Sequence, residues 1–520
     1  MEEQGNVDQQ KGGISKRLIT TIVIALLVIG GSVAAYVLLN NANTPKAKYF
    51  LAEKASIDFV ADEIEERFES EIKWLEVTEE NPTETILELS GEYNDPYGDP
   101  EVGMMAEQFV NNSIISITTQ SDLKEKKAAA LISADVAGIK VEDINFYLTN
   151  EKVTVGLPFL EELLEISDED IGRLMHEAAP EFVSADETID FNAFFEGTNS
   201  TLSEEDIEYF EKEYGEMIYD ALSEDSFTSS DDKLELHLTE QEFKDLITLI
   251  LDKVQKDEKI KELIKEQITN QFMGLGAEAL MAEIEFDESM IEFEEGISEI
   301  KEEIKDFHIP EGFTSTIWVE KDLIVKRELS LEMGPTKDDL VKLTINGTQS
   351  LDDESQTFTY DFGFEDSYDA GTMTFSGDLS WKDDKIKDSI KLIFDETEIS
   401  YEAEETLKGE KRDFNRVFSF NDPYGQGGNL IWAGNSEYEK DNMSSEHELF
   451  IEADGIDQDL FSLHLGVTGK QIKGVDIPEE NVKDLGSMTS DEIMDYIEND
   501  AALQFQQWIM GIMMSSGGGF

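Results

Sequence analysis

Apolar and polar positions alternate through most of the second half of this chain. From Ser315 to about Thr468, segments such as TIWVEKDLIVKRELSLEM, QTFTYDFGF, GTMTFSGDLSW, SIKLIFDE, RVFSFND, NLIWAGNSEY and HELFIEAD carry a hydrophobic residue at nearly every second position. They recur at intervals of roughly 10 to 15 residues, with Gly, Asn and Asp at the joints. A period of two with those turn residues predicts an antiparallel meander. Shorter alternating runs at 85–90, 129–156 and 234–238 predict further strands.

Between these runs the period changes to that of a helix. Phe50, Leu51, Ile57, Phe59, Val60, Ile64 and Phe68 predict a helix over 48–71. Ser167 followed by Asp168, Glu169 and Asp170 predicts a capped helix running to Pro180. Residues 202–222 read as helical. A strong amphipathic pattern starts at Thr239 as its cap and runs to Phe272, with Phe243, Leu246, Ile247, Ile250, Leu251 and Val254 on one face. Residues 278–306 continue helically, and a last helix is expected from Ser490.

One segment fits neither period. Leu18 to Leu39 is an uncharged apolar run, and a bilayer core takes about 20 residues of helix. Lys11, Lys16 and Arg17 precede it, which orients the short N-terminus to the cytoplasm. A cleaved signal peptide is the alternative, with Ser32-Val33-Ala34 as the cleavage region. The expected topology is single-pass in the cell membrane, with the bulk of the chain extracellular.

Composition narrows the functional classes. The chain has 117 acidic and 41 basic residues, for a formal charge of -76. Phosphate recognition needs clustered Lys and Arg, so nucleic acid is excluded as a partner. Cysteine is absent. That removes disulfides, thiolate metal sites and thiol nucleophiles, and fits a Gram-positive cell-envelope protein better than a disulfide-rich ectodomain.

A short repeat links the two ends of the chain. Asn94-Asp95-Pro96-Tyr97-Gly98 recurs as Asn421-Asp422-Pro423-Tyr424-Gly425. Echoes follow in the same order: Leu131 to Asp135 with Phe450 to Asp454, and Ser167 to Ile171 with Ser490 to Ile493. Asp before Pro favours extended backbone and Gly supplies a left-handed position, so each copy reads as a turn. A ligand-binding turn on each of two related lobes is the functional alternative.

Catalytic motifs are absent. His176-Glu177 and His447-Glu448 start like a zinc-protease helix, but Pro180 and Ile451 occupy the place of the second histidine. No phosphate-cradling loop and no nucleophile elbow occur. No cofactor is expected. Ca2+ is the one inorganic candidate, at Asp352-Asp353-Glu354, between Asp361 and Asp369, or between Asp454 and Asp459. None of these matches a calcium-loop spacing, and solvated acidic turns are the plainer reading. Trp318, Trp381 and Trp432 fall in the meander. They are either core or the lining of an apolar groove, which Phe505 and Trp508 of the last helix would fill.

Ser15-Lys16-Arg17-Leu18, the apolar run, and Lys48-Tyr49-Phe50-Leu51-Ala52-Glu53-Lys54 beyond it resemble a Bacillota family of membrane-anchored extracellular proteins whose domain has no assigned activity. The resemblance covers about the first 70 residues and implies topology alone. At fold level the meander with long helices is similar to curved-sheet lipid carriers of bacterial envelopes. The expected fold is α+β: a transmembrane helix, then curved antiparallel sheet packed by long amphipathic helices in two related lobes. The expected layout is a stub at 1–17, the span at 18–39, a linker at 40–47, a helix-rich lobe at 48–310, a β-meander lobe with its C-terminal helix at 311–514, and a tail at 515–520. The expected function is non-enzymatic binding or scaffolding at the membrane, with a lipid or envelope component as partner. The alternatives are a carrier or sensor of an apolar ligand and an envelope hydrolase that uses acidic residues.

Overall fold

The computed structural model describes residues 43–95, 100–178, 191–196, 204–264, 279–453, 455–456, 458 and 460–515. A helical rod comes first. Helix α1 (Pro45–Arg67) starts on Thr44, whose hydroxyl accepts from the Ala47 amide, with Pro45 at the first helical position. The chain kinks at Phe68 and continues as α2 (Glu69–Glu80), which stops before Pro82. Thr44 to Ala47 therefore begin a helix, although a linker was expected there.

Every strand joins one ladder. The N-terminal group is β1 (Thr83–Tyr93), β2 (Ser113–Asp122), β3 (Lys127–Val136), β4 (Ile139–Thr149), β5 (Lys152–Gly156) and β6 (Leu163–Ser167). The central strands are β7 (Phe227–Ser230), β8 (Lys233–Leu238) and β9 (Phe313–Glu320). The meander follows as β10 (Leu323–Thr336), β11 (Asp339–Asp352), β12 (Ser355–Glu365), β13 (Ala370–Lys382), β14 (Lys385–Phe394), β15 (Thr397–Lys408), β16 (Lys411–Asn421), β17 (Gly427–Tyr438), β18 (Asn442–Ala453) and β19 (Phe461–Gln471). A short β20 (Val482–Asp484) ends the set. Pairing runs from β7 through β19 in sequence order, then to β1, through β6, and last to β20. Among the described residues only β6 and β20 pair in parallel.

This ladder corrects the expected fold class. Strands dominate, and the two expected lobes are one sheet of 20 strands. β8 pairs with β9 across the expected boundary near residue 310, and β1 pairs with β19. The expected membrane span lies outside the described residues. Among those described, no helix is long and apolar enough to cross a membrane. α1 carries Lys, Glu and Asp along its length. The single-pass anchor, and the cell-membrane and extracellular placement built on it, therefore find no support and are set aside.

The packed core sits at the β7–β10 end. Helix α3 (Glu240–Val254) buries Phe243, Leu246, Ile247, Ile250 and Leu251 there. Its capping box is complete: the Thr239 hydroxyl accepts from the Glu242 amide while the Glu242 carboxylate accepts from the Thr239 amide. Tyr49 and Phe50 of α1, and Ile297, Ile300 and Ile304 of α4 (Ala279–Asp306), complete the cluster. The helix expected to run unbroken from Thr239 stops at Val254. Asp257 interrupts it, because its carboxylate accepts from the Tyr209 and Tyr214 hydroxyls and from the Lys259 amide.

Candidate ligand-binding face

Strict alternation gives the sheet one apolar and one polar side. Cross-strand register carries the apolar side from strand to strand: Leu343 faces Phe364, Met373 faces Phe394, Ile399 faces Phe420, Leu430 faces Ile451, and Leu89 faces Ile115. The polar side presents Thr348, Thr359 and Ser376 in the same manner.

The rod lies across the apolar side. Its first turns meet β9 and β10: the Tyr49 hydroxyl is 2.7 Å from that of Ser315, and the Ser56 hydroxyl accepts from the Ile324 amide at 2.9 Å. Glu53 pairs with Arg327. Further along, Arg67 pairs with Asp388 on β14 at 2.5 Å and lies over the Trp381 ring of β13. Glu71 pairs with Arg412 on β16 at 2.8 Å, and Arg412 covers Phe68. Trp74 ends the series against Gly469 on β19. Residues 45–80 as helix span about 54 Å. Ten strand spacings from β9 to β19 span about 48 Å. The rod therefore runs across the strands, roughly one helical turn to each strand.

Ionic groups hold this contact. Four of the chain's six arginines, Arg67, Arg327, Arg412 and Arg416, meet carboxylates here. Glu405 receives both Arg412 and Arg416. Burial pushes the Asp388 carboxyl up, and the Arg67 hydrogen bond opposes that shift. Burial, then the neighbouring Arg416, holds the His447 imidazole below its ordinary range. Glu53 Oε1, Arg67 Nε, Glu71 Oε2 and Asp388 Oδ1 are buried with no hydrogen-bond partner in the described structure.

Beside the rod a strip of the apolar side stays open. Phe364, Phe394, Ile399, Phe418, Phe420, Leu430, Ile451 and Phe461 are each between 36% and 50% exposed. They run from β12 to β19, a distance of about 34 Å. The exposed apolar area is on the order of 600 Å², taking about 200 Å² for a large side chain. A monomer's largest patch is ordinarily about 300–600 Å² and is often functional.

The residues singled out from sequence separate in space. Trp381 and Trp432 lie on the apolar side. Trp432 packs edge-on against Phe414, and its Nε1 donates to His447 Nδ1 at 3.2 Å. Trp318 is on the polar side, between Lys326 and Lys233. Phe505 and Trp508, on a helix at Ala502–Ser515, pack edge-on and tilted against Phe159 between β5 and β6 and do not fill a groove with the other tryptophans. The second repeat closes the β16–β17 hairpin: the Asp422 carboxylate accepts from the Tyr424 and Gln426 amides, and Gly425 takes a φ of +79°. In the first copy the Asn94 amide donates to Leu460 O and the Tyr93 hydroxyl donates to Asp95, while Pro96, Tyr97 and Gly98 lie outside the described residues. Asn94 and Asn421 sit at the same end of the strands, four spacings or about 19 Å apart, so the described parts of the two copies do not form one site. The echoed capped helices do touch. Ser490 donates from its amide and hydroxyl to Glu177, and Arg173 donates to Gly486 O and Met488 O.

Among the described residues no group of three His, Asp or Glu converges as a metal site would. The ionic contacts under the rod were not foreseen. Their signal is present in the sequence: Asp388, Glu405 and Arg416 occupy positions that the alternation reserves for apolar residues.

No family model matches this chain. No curated protein matches it. Solved outer-membrane proteins align with it at very low similarity. OmpTdeltaL8, a loop deletion mutant of OmpT, an outer membrane protein of Vibrio cholerae, is 7% identical over 75% of this chain and 98% of its own, with a TM-score of 0.16. Salmonella typhi OmpF in complex with daunomycin is 7% identical over 76% of this chain and 99% of its own, with a TM-score of 0.17. At such scores these likenesses carry no weight for fold or function.

Proposed function

We propose that this chain is a non-enzymatic binding protein that holds a lipid acyl chain along the open strip of its apolar sheet face. The strip itself carries the reading. It is continuous, one-sided and long enough for an extended chain, and it lies beside a rod that covers the neighbouring part of the same face. Each methylene moved from water into such a strip contributes about 0.8 kcal/mol. Roughly ten buried methylenes would supply the ~8 kcal/mol of micromolar binding, before the cost of association. The formal charge of -76 disfavours an anionic headgroup and selects a neutral or zwitterionic one. Binding rather than hydrolysis is favoured because Asp388, the carboxyl raised by burial on this face, is beneath the rod against Arg67.

The test is displacement of N-phenyl-1-naphthylamine fluorescence by phosphatidylcholine, with Ile399→Glu and Phe418→Glu as variants. The reading requires saturable displacement by wild type and loss of dye binding in both variants. Absence of dye binding in wild type, or equal binding in the variants, refutes it.

A further inference from the structure

The polar face carries a feature that the acyl-chain reading does not use. A hollow of about 510 Å³ lies over β11 to β14, on the side away from the rod. Thr348, Ser350, Thr357, Thr359, Ser376 and Ser389 line it. Register sets Thr348 beside Thr359 and Thr359 beside Ser376. A second row runs Ser350, Thr357, Asp378, Ser389. The hydroxyls thus form a lattice of about 4.8 Å across the strands by ~7 Å along them. Gln349, Phe358 and Gly377 also border the hollow. The side chains of Gln349 and Phe358 point to the other face and Gly377 has none, so there the floor is strand backbone.

Two observations describe what this lattice offers a ligand. Among the described residues, none of the six hydroxyls has a hydrogen-bond partner in the protein. The lining is also neutral, since Asp378 and Lys391 are its only charged members. In a chain of -76, with Glu398, Glu402 and Glu404 on the very next strand, a charge-balanced patch is a local departure.

We propose that this hollow binds a neutral oligosaccharide. A sugar offers hydroxyls around its ring that both donate and accept, and serine and threonine hydroxyls do the same. A repeating sugar chain laid across the strands meets a repeating row of partners. The volume lies within the range of small-ligand sites. Phosphorylated ligands fit poorly, because the single lysine already faces Glu398 at 3.4 Å. An apolar ligand would find no hydrophobic side chain on this side of the hollow.

The experiment is saturation-transfer NMR and calorimetry on the full chain, with maltohexaose, cellohexaose and chitohexaose as probes. At least one is expected to bind with a dissociation constant of about 1 mM or tighter. Thr359→Val/Ser376→Ala, which keeps side-chain volume while removing two central hydroxyls, is expected to weaken that probe at least tenfold. Thr348→Val/Ser389→Ala, at the margin of the lattice, is a second variant should the first fold poorly. Ile399→Glu on the opposite face is expected to leave sugar binding unchanged, which separates this site from the acyl-chain strip. No saturable binding of any probe up to roughly 10 mM, or equal binding by wild type and the lattice variants, overturns the proposal.

Discussion

Arg67 on the rod and Asp388 on β14 form an ion pair across 321 positions of sequence. Both side chains are about one-tenth exposed. Removing one partner leaves the other charge buried and uncompensated. Arg67→Met is expected to cost about 3 kcal/mol of unfolding free energy, and Arg67→Met/Asp388→Leu to recover most of it. Urea denaturation of wild type, both single variants and the double variant measures the coupling. Additive losses would show that the pair does not act as a unit.

Tyr49 and Ser315 share a buried hydrogen bond between α1 and β9. Burial, then the nearby Glu53, pushes the Tyr49 phenol well above its ordinary range, so it stays protonated. Tyr49→Phe leaves the Ser315 hydroxyl without this partner and is expected to cost about 1–2 kcal/mol. Tyr49→Phe/Ser315→Ala is expected to lie closer to wild type than Tyr49→Phe alone. Thermal or urea unfolding decides between these outcomes.

Gly469 leaves room for the Trp74 ring. A Cβ at position 469 would fall 2.6 Å from Trp74 and 2.9 Å from Met443. Gly469→Val is therefore expected to displace the end of the rod, at a cost of about 1–3 kcal/mol. Tryptophan emission should shift to the red, since Trp74 is buried in the native chain. An unchanged spectrum would mean that the rod does not depend on this close approach.

Acid should loosen two helix starts. Backbone hydrogen bonds from Thr239 and Thr489 hold the Glu242 and Glu492 carboxyls below the ordinary value of 4.5. Their contribution is present above that value and is lost as pH falls through the lower, folded-state pKa. Glu242→Gln and Glu492→Gln should each destabilise at pH 7 and flatten the fall in stability between pH 5 and strongly acid conditions. Urea midpoints across that range provide the measurement, and an equally steep fall in the variants would remove these caps as contributors.

The local grammar of this fold is plain in the chain. The meander expected from Ser315 to Thr468 is β9 to β19, and Thr239 caps the helix that was expected to start on it. The helix expected over 48–71 exists, extended at its start by Thr44 and Pro45 and at its end by α2. What local pattern does not carry is placement. Glu53 meets Arg327 and Glu71 meets Arg412 over hundreds of intervening residues. Nothing near Thr83 announces that β1 will lie beside β19. The two expected lobes followed from reading each alternating group as its own sheet, and strand edges contain no label for their partners. The candidate site divided similarly. Trp381 and Trp432 share a face, but Trp318 falls on the other, because its register to Lys326 fixes its side of the sheet.

The pairing of β1 with β19 sets a timetable for the growing chain. β1 emerges early from synthesis with β2 on one side and nothing on the other. Its second neighbour ends at Gln471. Until then β1 is an unpaired edge beside a rod whose own partners, from Ser315 to Gly469, are also unmade. Contacts this distant in sequence close slowly. The N-terminal strands must therefore wait, with apolar surface uncovered, for nearly the whole chain to appear.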